Sequence, residues 1–225
     1  MTNLLTTNNL RAVALMSAAL LSPACGSTSG PDPMPMPGPT TIILPLRVHV
    51  LSSAASQLDA TSSDSDVLTL IARVNEIWNH AAIHFELESI VREPLVDGAL
   101  VPTLDAGGTV TTTQIGAALP VGSLLTSGWN LFIVRDLTSA TGVPGVFFPT
   151  IAAATTSEVD PAGVGDPGRI AAHELGHSLT LAHVTCTAEG NLMAPGCASA
   201  DRGRLAEAQI AAARAQAETG SPVTF

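Results

Sequence analysis

The tightest constraint on this 225-residue chain is the stretch His173-Glu174-Leu175-Gly176-His177-Ser178-Leu179-Thr180-Leu181-Ala182-His183. An α-helix turns about 100° per residue, so side chains four apart share a face, and His173 and His177 can present ring nitrogens to one ion. Glu174 falls beside that ion rather than on it, the place for a general base acting on a water that a metal activates. On a continuing helix His183 would stand roughly 120° away from the shared face. The helix must therefore break between His177 and His183 if all three imidazoles are to meet.

Whatever surrounds this stretch is built with little charge and few aromatics. The chain holds 19 Asp and Glu against 9 basic residues, all of them Arg, for a net charge of −10. That balance gives no attraction to nucleic acid or to an anionic membrane face. With five Phe, two Trp and no Tyr, the core must come from Val, Ile, Leu and Ala.

The N-terminal part does not read as part of the folded domain. Residues 1–24 resemble an export signal, with Arg11 as the positive end and Ala12 to Leu21 as an apolar run too short to span a membrane. Ser22 and Ala24 fit the small-x-small pattern of a signal peptidase, and Cys25 after a small residue resembles a bacterial lipobox with Ser22 in the place usually held by Leu. Both routes cut before Cys25, and lipidation of Cys25 is the preferred expectation because a Pro-, Gly- and Ser-rich tether follows at residues 25–39. The exported protein is then an outer-membrane or cell-surface lipoprotein, its one membrane contact the Cys25 lipid, with free secretion as the alternative.

The folded domain is expected over residues 40–225. Ile42 to Leu51 predicts a strand that Pro45 confines to an edge or a bulge, with His49 half-buried in it. Asp64 or Ser65 caps a helix to about His80, its apolar stripe being Val67, Leu70, Ile71, Val74, Ile77 and Trp78. Ile83 to Val91 alternates as a strand, and the helix end between His80 and His84 removes that pair as a metal site. Glu93 to Ser127 reads as loops with at most one short strand. Asn130 to Leu137 predicts a central strand, and Gly142 to Thr155 a single edge strand. The loop Glu158 to Gly168 carries Asp160 and Asp166, where a calcium ion is conceivable, although Asp166 is better placed as N-cap of the next helix with Pro167 at its first position. Arg204 to Ala217 predicts a closing helix ending near Gly220; its Glu207 is the alternative third metal ligand to His183.

A third His ten residues after the first makes the motif a chance event of roughly one in ten thousand for a chain this long. A Met in a turn then follows, within Asn191-Leu192-Met193-Ala194-Pro195-Gly196. Together these residues resemble the metzincin zinc endopeptidases, whose pattern is His-Glu-x-x-His-x-x-Gly-x-x-His with a later Met-turn. The resemblance is specific over Gly168 to Cys197 and loose upstream. It implies an α/β (α+β) catalytic domain with a twisted mixed sheet, an active-site helix, a Met-turn and a C-terminal helix. It also implies one zinc ion on His173, His177 and His183, Glu174 as the base and Met193 beneath the metal.

Two departures matter. Thr180 occupies the place of the family's Gly, so a β-branched residue must either accept positive φ, at about 1 to 2 kcal/mol, or break the helix by other angles. With no Tyr to offer, the oxyanion of a tetrahedral intermediate must rest on the metal and on backbone amides. Cys186 and Cys197 bracket the Met-turn, and in an exported chain a disulfide between them is expected to contribute roughly 3 kcal/mol in the chain-entropy model. Thiolate ligation of zinc is the rival use of that pair. The function expected is zinc-dependent peptide-bond hydrolysis on a protein or peptide substrate. The alternatives are a non-catalytic zinc-bound surface lipoprotein that binds peptides, and a zinc hydrolase of non-peptide bonds.

Overall fold

A computed structural model describes residues 39–159, 166–186, 190–195 and 203–224. The export signal, the tether and Cys25 fall outside these residues, as do Asp160 and Cys197. Among the described residues no helix is long and apolar enough to cross a membrane.

The chain opens with strand β1, Ile42–Ser52, whose alternate residues Leu44, Leu46, Val48 and Val50 are buried on one face. Helix α1 follows at Asp64–Trp78, but its N-cap is Ser63, one residue before the expected cap. Ser63 Oγ accepts from Asp66 N at 3.2 Å while the Asp66 carboxylate accepts from Ser63 N at 2.8 Å. This capping box satisfies two orphan amides at once, which neither Asp64 nor Ser65 can do. The helix buries Val67, Ile71, Val74, Ile77 and Trp78, then tightens into a 3₁₀ turn and breaks at Ala82, φ 51°. His80 and His84 are separated by that break, as expected. His80 Nε2 accepts from Leu205 N at 3.2 Å, so this histidine ties the turn to the C-terminal segment.

Strand β2, Ile83–Pro94, and strand β3, Trp129–Val134, run parallel to β1 on either side of it. β1 is thus an inner strand, and Pro45 is tolerated because pairing with β3 begins one residue later, at Leu46. A bulge is present too: the β1–β2 register slips between Leu46 and Arg47, skipping Glu88. All six residues of β3 are buried, as its apolar run requires of a central strand.

The predicted single strand at Gly142 to Thr155 is instead a hairpin. Strand β4, Gly145–Phe148, turns through Pro149 to Ala152 into strand β5, Ala153–Ser157. Pro149 has no N–H to extend a ladder, and Ala152 takes φ 50°, so the chain reverses there. The five strands lie in the order β2-β1-β3-β5-β4, four parallel and β4 antiparallel at the edge.

Both faces of the sheet are covered. One carries α1, helix α5 at Pro167–Ser178 and helix α6 at Glu207–Ala217, with Trp78, Trp129, Leu131 and Leu175 in its core. The other is covered by helices α2, Val101–Asp105, α3, Thr112–Ala118, and α4, Leu137–Thr141, over Phe132, Ile115 and Leu137. Helices α2 and α3 replace the expected loops. α3 carries a legible signal, the capping box of Thr111 and Gln114, but its seven residues bury only Ile115 and Ala118, too few to show a helical period.

His49 also departs from expectation. It is fully buried and stacks on Phe132 at 4.5 Å, with Nδ1 at 2.6 Å from Glu93 Oε1 and Nε2 at 3.2 Å from Asn130 Oδ1. Asn130 Oδ1 in turn accepts from Leu125 N at 2.7 Å, so the cluster pins the loop leading into β3.

Candidate metal centre

Helix α5 begins where the residue pattern places it. Asp166 is the N-cap, its carboxylate accepting from Arg169 N at 2.7 Å, and Pro167 takes the first helical position. Asp166 also meets Arg73 Nε at 3.3 Å. Its carboxylate is therefore engaged, and the conceivable calcium partner Asp160 lies outside the described residues.

The helix ends at Ser178, and Thr180 adopts φ 70°. The β-branched residue has accepted the left-handed conformation instead of finding another break. Leu181 N then returns to the Gly176 carbonyl at 3.0 Å, reversing the chain so that His183 comes back over the helix. His183 Nε2 lies 3.1 Å from His173 Nε2 and 3.1 Å from His177 Nε2. Among the described residues this trio alone, with ligand atoms within 4.8 Å of one another, has the arrangement to hold a metal ion.

Which ring nitrogens face inward is decided by the backbone. His173 Nδ1 donates to the Leu192 carbonyl at 2.6 Å, and His177 Nδ1 donates to the Leu181 carbonyl at 2.7 Å. A neutral imidazole that donates from Nδ1 presents a bare lone pair at Nε2. Two such lone pairs face His183 Nε2, which can donate to one of them at most. A cation accepting all three resolves that conflict. Three imidazoles, two of them oriented by backbone carbonyls, make a donor set that suits a four-coordinate zinc ion with one position left open. The residues present therefore fit zinc.

Burial acts on the same groups. It holds His173 neutral, pushing its pKa down to about 4, and lowers that of His177. Glu174 is only 7% exposed, and burial pushes its carboxyl up to about 8.

Met193 is fully buried and packs against α5 at Gly176. A Cβ at Gly176 would stand 2.6 Å from Met193 Sδ, so the absence of a side chain lets the turn approach the helix between the two histidines. The turn is anchored from below: Met193 N donates to Asn191 Oδ1 at 2.8 Å, and Asn191 Nδ2 donates to Gln209 Oε1 of α6 at 2.7 Å. Leu192, Asn191 and Gln209 were not foreseen as supports, since two act through backbone groups or a neighbour's amide and no spacing marks them. Glu207 is exposed and lies outside the three-histidine group. The Cys186–Cys197 pairing involves a residue outside those described.

Beside the histidines a cleft of about 500 Å³ is lined by Glu174, His177, Thr180 and His183 on one side and by Gly145, Val146 and Phe147 of β4 on the other. Gly145 is obligatory there, because a Cβ would come within 2.8 Å of Glu174 Oε1.

No family model matches this chain, and no curated protein matches it in sequence. Among solved structures, archaemetzincin from Methanopyrus kandleri has a TM-score of 0.53 at 15% identity, covering 80% of this chain and 98% of that one. That likeness shows the fold, a mixed α/β domain with a five-stranded twisted mixed sheet similar to that of archaemetzincin. Two others match more weakly: a chaperone–substrate complex, with a TM-score of 0.47 at 14% identity over 80% of this chain and 35% of that one, and metalloproteinase-II from Bacteroides fragilis, with 0.40 at 13% over 70% and 48%.

Proposed function

We propose that this protein is a zinc-dependent endopeptidase of the metzincin type. The observation that carries the reading is the convergence of three Nε2 atoms beside a buried carboxyl, at the floor of a cleft bounded by an edge strand. When bound, zinc supplies Lewis acidity, activating water and polarising the scissile carbonyl. His173, His177 and His183 hold the ion, with His173 and His177 fixed in the required tautomer by the Leu192 and Leu181 carbonyls. The Glu174 carboxylate takes a proton from the attacking water and delivers it to the leaving amine nitrogen, and its burial keeps bulk water from competing for that proton. Substrate lies extended along β4, where Gly145 lets the edge strand pack directly against the Glu174 side chain.

The expected placement in the cell follows from the N-terminal residues: export, with a lipid on Cys25 holding the domain at an outer-membrane or cell surface. The partner is a protein or peptide substrate. A Cys186–Cys197 disulfide would fix the Met-turn.

Zinc-loaded protein incubated with a random peptide library should cleave it, losing at least about 100-fold in rate with a chelator or with Glu174→Gln. Full activity in Glu174→Gln, or cleavage that ignores the chelator, would refute the mechanism.

A further inference from the structure

The cleft beside the histidines does not end at β4. A second cavity of about 460 Å³ lies across the strand, and the two share Thr112, Val146 and Phe147 as lining. Its far wall is α3, from the connection between β2 and β3. A Cβ at Gly116 would stand 2.7 Å from the Phe148 ring, so α3 lies against the edge strand as closely as a backbone allows. Thr113 and Ala117, both exposed, stand on the helix side, and Ile151 on the other. No charged side chain lines the cavity.

The ladder shows what can reach it. Ser157 N donates to the Pro144 carbonyl at 3.1 Å, which makes that pair a hydrogen-bonded one. Counting on through the β4–β5 register, Val146 and Phe148 bond to β5. Antiparallel pairs alternate, so the N–H and C=O groups of Gly145 and Phe147 point to the open edge. An extended segment pairing with those groups sends successive side chains to opposite faces of the sheet. One set enters the histidine cleft, and the other enters the cavity under α3.

We infer that the space between α3 and β4 is a specificity subsite that takes a large apolar, uncharged side chain of an extended peptide, with Ala117 and Thr113 setting its depth. The inference rests on the placement of peptide along β4 proposed above. Because the helix wall carries only small side chains where the cavity opens, affinity should rise with the apolar volume inserted.

The test uses zinc-loaded Glu174→Gln protein, so that binding is read without cleavage, and alanine-rich decapeptides carrying one Phe at successive positions. One Phe position should tighten binding about tenfold over the all-Ala peptide. Adding Ala117→Trp, or separately Thr113→Trp, should bring that ratio close to one at this position alone. Both substitutions are at exposed sites, so either can stand if the other fails to fold. No Phe-dependent gain, or a gain that survives both tryptophans, overturns the subsite. Phe-dependent binding that the tryptophans abolish, in a protein whose wild type cleaves nothing, would leave the subsite standing and remove the peptidase reading instead. Cleavage by wild type with a profile unchanged by either tryptophan would do the reverse.

Discussion

Two of the three imidazoles ride on a helix and the third on the loop that returns from it, and their surroundings differ accordingly. His173 is 8% exposed, on a helix packed over the sheet, while His183 is exposed and brought back by a reversal at Thr180. The helical pair is positioned by the fold as a whole, because α5 cannot move without opening the core around Leu175. The loop histidine is positioned by a single backbone reversal. Metal binding and packing are thus superimposed at His173 and separable at His183.

That separation can be broken by substitution. His183→Ala should lower zinc affinity by more than about 100-fold while leaving the melting temperature of the chelator-treated protein nearly unchanged. His173→Ala should lose as much affinity and also destabilise the zinc-free domain. Metal titration with calorimetry on both variants measures the contrast, and unchanged zinc affinity in His183→Ala would end the three-histidine assignment.

A middle-sized effect sharpens the helical side. Glu174 in the zinc-free fold stays protonated to about pH 8, whereas unfolded it ionises near 4.5, so the folded state holds the extra proton and its stability falls as pH rises between those values. His173 has the opposite slope: unfolded it gains a proton near 6.5, folded only near 4, so stability falls as pH drops through that interval. The two oppose one another between 4.5 and 6.5, and above 6.5 Glu174 acts alone. Thermal denaturation of zinc-free protein should show a loss of about 2 kcal/mol from pH 6.5 to 8. Glu174→Gln should flatten that limb, and a limb that persists in the variant would place its cause elsewhere.

The smallest effect belongs to the loop. Thr180→Gly should stabilise the zinc-free protein by about 1 kcal/mol, since Gly accepts φ near 70° without the Cβ conflict, partly offset by its greater freedom when unfolded. A loss of stability would mean that the Thr180 side chain makes a contact worth more than the strain.

The same contrast explains what the residues alone could reveal. The helical half was legible because a four-residue spacing, an Asp-Pro start and a later Met are all periodic or local signals. At Thr180 the residues left two outcomes open, positive φ or a break through other angles, and the chain takes the first. The orientation of His173 and His177 was not legible, because it depends on the carbonyls of Leu192 and Leu181, which every residue type supplies. In the sheet, the central β3 announced itself by an unbroken apolar run. The β4–β5 hairpin did not, because two short apolar segments joined by Pro149-Thr150-Ile151-Ala152 look continuous until pairing bends them. Helices α2 and α3 are shorter than the window in which a helical period can be counted, leaving only the Thr111 and Gln114 box to mark one of them.

The orientation of His173 and His177 by main-chain carbonyls has a consequence for how such a site is inherited. A carboxylate that orients a histidine can be lost or exchanged by one codon change, and the metal affinity drifts with it. A carbonyl of Leu181 or Leu192 survives any side-chain replacement at its position that leaves the backbone in place. Saturation mutagenesis there should read as a packing requirement, blind to polarity, while a one-residue insertion or deletion between Thr180 and Met193 should abolish metal binding. The chemistry of this centre is thus written in segment length as much as in side chains, and a descendant can change most of the surrounding residues without relinquishing it.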